Sequence, residues 1–306
     1  MRSAFFTILL ILFVNPWCKD LKGQDLPYMH RLSQYMFNGL VLNPAYAGSR
    51  ESVSASVLHK QYLTGIKGGP VAQNLCVHTP MKRDKVALGI MVDNFTNPVT
   101  QFNSIMFNYA YRVWVGGSRL SMGLRGGAYY YSNNFDKLEL RDETDDLFLN
   151  ENGLTPNFGA GFYLFNPKYY LGLSVPFFLS KPDSLGHIVH DINNYDFMLM
   201  GGYLFNLNDN FKLKPAFIID YSLTDTDYQA GLHLIFFRDA LWLGGAYKKG
   251  RELTAMVEVQ INRQLKIGYA YDHSFTDLSR VTSGTHEIML RYELKFRADV
   301  NSPIYF

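Results

Sequence analysis

The chain has 306 residues, of which 15% are aromatic and 18% charged, with a formal net charge of +2. So small and balanced a charge gives no electrostatic reason to expect a nucleic-acid partner. Its two cysteines, Cys18 and Cys76, exclude a disulfide framework.

Arg2 followed by the apolar run 4–14 reads as a secretory signal peptide, placed over residues 1–23. The run is too short to cross a bilayer, which takes about 20 residues. Cys18 invites a lipoprotein reading, but Trp17 precedes it where a small residue is expected. If Cys18 leaves with the signal, Cys76 is left as a small apolar filler. No later apolar run is long enough for a membrane helix. An exported chain of this kind is periplasmic, extracellular or an outer-membrane barrel.

Residues 24–50 precede the first strand pattern. From residue 51 to 297 the chain alternates with period two, the signature of strands. Predicted strands cover 52–60, 71–79, 85–95, 101–115, 119–132, 157–166, 168–177, 196–206, 211–221, 228–237, 240–248, 254–262, 264–274 and 286–297. In 101–115, Ile105, Phe107, Tyr109 and Tyr111 share one face while Ser104, Asn108 and Arg112 share the other. In 286–297, Ile288, Leu290, Tyr292, Leu294 and Phe296 oppose Met289, Arg291, Glu293, Lys295 and Arg297. A soluble sandwich would bury the oily face in a core. A membrane barrel turns it to lipid and turns the charged face to the lumen.

The turns favour the barrel. Short connections at 116–118, 166–168, 206–210, 238–239 and 262–264 follow even-numbered predicted strands. Long ones at 133–156, 179–195 and 275–285 follow odd-numbered strands. Outer-membrane barrels keep this parity, with short periplasmic turns and longer outer loops. The expectation is therefore an all-β, antiparallel transmembrane barrel of about 14 strands over residues 51–297, followed by a tail at 298–306. The clusters Tyr129–Tyr131, Tyr169-Tyr170 and Phe236-Phe237 suit interfacial girdles, although aromatics also simply favour strands. Arg112, Arg125, Lys266, Asp272, Arg291, Glu293, Lys295 and Arg297 should face the lumen, because a lipid-facing Lys or Arg costs about 2–4 kcal/mol at mid-membrane. They would form an ion-pair network that stiffens the barrel, or line a pore selective for solute.

Two terminal motifs carry a family resemblance. Gln34-Tyr35-Met36-Phe37-Asn38 followed by Asn43-Pro44-Ala45-Tyr46-Ala47-Gly48 resembles the amino-terminal signature of the PorP/SprF family, part of the type IX secretion and gliding machinery of Bacteroidetes. Tyr271-Asp272, Gly284, His286-Glu287 and the closing Ser302-Pro303-Ile304-Tyr305-Phe306 resemble its carboxy-terminal features. Gly39, His273 and Thr285 depart from the pattern, which puts local contacts in doubt. The resemblance implies a non-enzymatic outer-membrane barrel of a Gram-negative cell. Such a barrel would export or hold large surface proteins such as adhesins, and would contact periplasmic secretion components.

By that resemblance the candidate partner-binding residues are Tyr35, Asn38, Asn43, Pro44, Ala45, Gly48, Asp272, His286 and Glu287. The segment 35–48 should lie in the periplasm or the lumen, as a plug or docking element or as a cap on the barrel floor. No cofactor and no metal is expected. The acidic stretch 141–146 lacks the calcium-loop spacing, and His187 with His190 lacks a third ligand at fixed distance. An enzyme embedded in the barrel is the rival class. Alternation places His273 opposite Asp272 and Ser274, which prevents a local triad. A channel for small solutes is the remaining alternative.

Overall fold

The computed structural model describes residues 32–81, 84–135, 150–178, 195–223, 226–250 and 252–294. The signal segment with Cys18, residues 24–31, the stretch 141–146, His187, His190, Lys295, Arg297 and the tail 298–306 lie outside these residues.

The wall runs through β1 (Val53–Gln61), β2 (Val71–Pro80), β3 (Val86–Thr96), β4 (Thr100–Val115), β5 (Ser118–Asn133), β6 (Glu151–Phe165) and β7 (Tyr169–Val175). It continues through β8 (Phe197–Tyr203), β9 (Phe205–Asn208), β10 (Phe211–Tyr221), β11 (Thr226–Phe236), β12 (Leu241–Lys248), β13 (Glu252–Gln260), β14 (Leu265–Ser274) and β15 (Thr285–Leu294). β8 and β9 flank Leu204 and form a single stave, so these segments make a wall of 14 strands. Neighbours pair antiparallel, and β15 returns to β1 with Val53 opposite Leu294 and Gln61 opposite His286. Closure matters because lipid offers backbone groups no hydrogen bonds. Among the described residues no helix is long and apolar enough to cross a membrane.

Alternation sorts side chains between two environments. On β4, Ile105, Phe107, Tyr109 and Tyr111 are exposed on the outer face, while Ser104, Met106, Asn108, Ala110 and Arg112 are buried within. The same sorting puts Arg125, Lys266, Asp272, Arg291 and Glu293 inside, as expected. The core is not between two sheets. It fills the lumen, where residues 32–50 are buried throughout.

Three local expectations shift. β6 begins at Glu151, well before residue 157, so the preceding loop is shorter than read. Its first residues pair with β5, whereas β7 pairs only with Ala160–Phe165. Pro156 lies opposite Ala128 on β5, and among the described residues nothing pairs with its other edge. The aromatic clusters split between faces. Tyr129 points inward and stacks on Phe102 at 5.0 Å between ring centroids, while Tyr130 is exposed outside. Tyr170 is buried inside as well. The eighth expected strand, read as one unbroken run over 196–206, is interrupted at Leu204.

Candidate functional site: the lumen plug

The rim bearing the short turns, such as Gly116-Gly117, is the periplasmic one by the parity of outer-membrane barrels. Residues 32–50 begin near the opposite rim and descend to the periplasmic one, where Val53 starts β1. Two short 3₁₀ turns, Tyr35–Phe37 and Pro44–Tyr46, compact the path. With no ladder available, the backbone groups of this segment must find partners on the wall.

At the outer end the partners are ionic. The Glu287 carboxylate accepts from the backbone N–H groups of Ser33 and Gln34, each at 2.8 Å. The Ser33 hydroxyl donates to Asp272 at 2.6 Å and accepts from Lys60 at 2.9 Å and Lys248 at 2.8 Å. Asp272 also pairs with Lys248 at 2.8 Å and Lys60 at 3.2 Å, and accepts from Thr254 at 2.6 Å. Lys60 reaches Glu287 at 3.3 Å. Two ammonium groups and two carboxylates thus balance around one plug serine. Buried charge is tolerated only when paired and hydrogen-bonded in this way.

Midway the wall grips the plug by its carbonyls. Arg125 donates to the carbonyls of Val41 (3.0 Å) and Leu40, and Ser174 donates to that of Leu42 at 2.7 Å. Arg291 pairs with Glu258 at 2.9 Å and donates to the Phe37 carbonyl at 3.3 Å. Asn38 donates to Asn74 at 2.7 Å, and Asn74 donates in turn to Asp93, whose other oxygen accepts from Ser104 at 2.8 Å. Cys76 is buried on the same inward face, with its thiol 3.2 Å from the Asn74 amide oxygen.

The Asn-Pro-Ala-Tyr-Ala-Gly stretch forms the inner end. Asn43 caps the second turn, accepting from Ala45 N at 2.9 Å, and donates to the Phe162 carbonyl at 2.9 Å. Pro44 starts the turn, where its missing N–H costs nothing. Gly123 on β5 lets the plug lie against the wall, since a Cβ there would collide with the backbone of Ala45. Gly48 has a φ of +69°, which glycine adopts readily. Its N–H donates to His78 at 3.0 Å and its carbonyl accepts from Arg112 at 3.0 Å. Tyr46 packs edge-on to His78 and Tyr163, and its hydroxyl accepts from Arg50, which pairs with Glu293 at 3.1 Å.

Of the residues singled out in the sequence, Tyr35, Asn38, Asn43, Pro44, Ala45 and Gly48 are plug residues, and Asp272 and Glu287 anchor the plug. His286 stands apart. It points outward and shares a hydrogen bond with Tyr269 at 2.7 Å. His273 also faces out, edge-on to Phe275 at 4.9 Å, away from buried Asp272. The sequence reading missed Ser33, Lys60, Lys248 and Glu258. Lys60 and Lys248 occupy the inward parity of their strands, with Ser54 and Ser56 and with Trp242 and Ala246. That charge at an inward position was the available signal.

No curated protein matches the chain. Among solved structures it resembles the Ralstonia pickettii toluene transporter TbuX, with 12% identity over 86% of this chain and 93% of that one, TM-score 0.54. It also resembles the CymD monoaromatic hydrocarbon channel, with 12% identity over 90% and 95%, TM-score 0.54. At that identity the likeness is one of fold, an outer-membrane-type barrel. The family model for the type IX secretion system membrane protein PorP/SprF matches residues 27–292, spanning the plug and nearly the whole wall. The chain is therefore an outer-membrane barrel belonging to the PorP/SprF family of the type IX secretion system.

Proposed function

We propose that this barrel is a sealed, non-enzymatic outer-membrane anchor of type IX secretion, which supports the export or surface retention of a large secreted protein and contacts periplasmic machinery. The observation that carries this reading is the occupied lumen. Residues 32–50 fill it and are tied to the wall by buried charge and carbonyl contacts from the outer third down to the periplasmic rim. A lumen packed in this way offers a rigid body in lipid rather than a water-filled path. A secreted protein such as an adhesin would sit at the outer rim, and periplasmic machinery at the rim of the short turns.

Affinity purification of the tagged full chain from native outer membranes, with mass spectrometry of what accompanies it, tests the reading. A large secreted protein or periplasmic secretion subunits should copurify and be absent from an unrelated-barrel control. A barrel isolated alone, with normal surface-protein display in a deletion strain, would overturn the anchor reading. Ion conductance would then be the measurement that decides for a solute channel.

A further inference from the structure

At the periplasmic rim, near the turn after β6, the wall has a stretch where pairing is incomplete. β8 pairs with β7 as far as Tyr203 opposite Tyr169, and Leu204 N donates to the Lys168 carbonyl at 2.7 Å. Beyond that point the stave continues as β9, past the end of β7. β9 pairs only with β10, with Phe205 opposite Leu213, Asn206 opposite Lys212 and Asn208 opposite Phe211, the register shifting between Phe211 and Lys212. Among the described residues nothing pairs with its other edge. All four β9 residues are exposed, including Phe205 at 46% and Leu207 at 57%. An unpaired strand edge is a template for another strand, and proteins ordinarily blunt such an edge with charge, proline or a cover. β9 carries neither a charge nor a proline.

A second feature lies beside it. The neighbouring turn holds Phe237, Arg238 and Asp239 at φ of 54°, 54° and 75°. Successive left-handed non-glycine residues, one a phenylalanine, are unusual, and such strain concentrates at functional surfaces. The turn is fastened to the β9–β10 hairpin by Phe237 N donating to the Asn210 carbonyl at 3.0 Å and by Lys212 pairing with Asp239 at 2.7 Å. Phe237 is 67% exposed. Lys168, at the head of the open edge, and Arg238, at its flank, are exposed cations that pair with no carboxylate among the described residues.

We propose that β9 is an acceptor edge for an extended segment of a periplasmic protein, which adds to the wall as a strand. Backbone N–H and C=O groups along the edge specify an extended chain, as in other strand-addition complexes. Alternation specifies the rest. Phe205 and Leu207 share the outward face with Tyr203, so the added strand carries apolar residues on that face. Lys168 and Arg238 call for carboxylates at its ends. The proposal rests on the reading that the barrel works with periplasmic machinery, and it names the surface and the partner chemistry.

The test places a photo-crosslinking residue at Asn206 or at Asn208 in the full chain in native outer membranes, with Leu171 in the lipid-facing wall as control position. The expected result is crosslinks from both sites to one segment of a single periplasmic protein, at positions two residues apart. The double variant Phe205→Lys/Leu207→Lys should cut the yield at least tenfold while the barrel keeps its folded, heat-modifiable migration. If that variant does not fold, Leu207→Pro alone gives the same reading. Crosslinks only to lipid, to the tail of the same chain or to a second copy of it would overturn the proposal. Secreted-protein retention is scored in the same membranes. Retention without edge crosslinks sinks the strand-addition proposal alone, and edge crosslinks without retention sink the cargo reading alone.

Discussion

The two ends of the plug are held by different physics. At the outer end, Ser33 and Gln34 sit in a cage of Lys60, Lys248, Asp272 and Glu287 drawn from β1, β12, β14 and β15. At the inner end, Asn43–Gly48 are held mainly by single hydrogen bonds and close fit against β2, β5 and β6, with Arg112 on a backbone carbonyl and the Arg50–Glu293 pair on the Tyr46 hydroxyl. The outer anchor depends on charge balance, so losing one member strands the others in a buried site. The inner anchor depends on shape and single hydrogen bonds, each of modest worth. The plug should therefore come loose from the outside first when charge is removed, and from the inside first when volume is added.

Four substitutions break or sharpen this contrast, in falling order of effect. Asp272→Ala leaves Lys60 with Glu287 and strips Lys248 of its carboxylate partner, and should destabilise by about 3–5 kcal/mol, as removal of one partner from a buried ionic site does. The thermal midpoint of heat-modifiable migration reads it, and an unchanged midpoint would contradict the cage. Gly123→Leu pushes a side chain into the backbone of Ala45 and should cost up to about 3 kcal/mol by overpacking. It should also expose the Arg50–Glu51 bond to trypsin, which the wild-type plug protects. Asn43→Ala removes the cap on Ala45 and the bond to the Phe162 carbonyl, worth about 1–2 kcal/mol together. Chemical unfolding from liposomes can resolve that step. His286→Phe, on the outer face, should move stability by no more than about 0.5 kcal/mol and leave the plug protected.

Much of the wall was legible because lipid and lumen impose opposite demands on alternate residues. Ile105, Phe107 and Tyr109 could not share a face with Ser104, Asn108 and Arg112 in any other arrangement. Turn parity then fixed which rim is which. The start of β6 was placed at residue 157 rather than at Glu151, although proline is compatible with a strand at an edge position such as that of Pro156. The break at Leu204 carries no local signal, since it arises where β8 outruns the end of β7. The plug residues were visible as a motif, but their position was not. Asn43 meets Phe162, and Ser33 meets Asp272, across separations that no spacing rule reaches. The open edge of β9 is likewise a property of neighbours rather than of its own four residues.

The most direct measurement of the central claim is the conductance of the full chain reconstituted in a planar bilayer, compared with Gly123→Leu. A sealed lumen gives no steady single-channel steps for the wild type, with openings appearing once the plug is displaced. Steady ohmic steps from the unaltered chain, with trypsin still unable to reach Arg50, would show a water path beside a seated plug and contradict the sealed anchor.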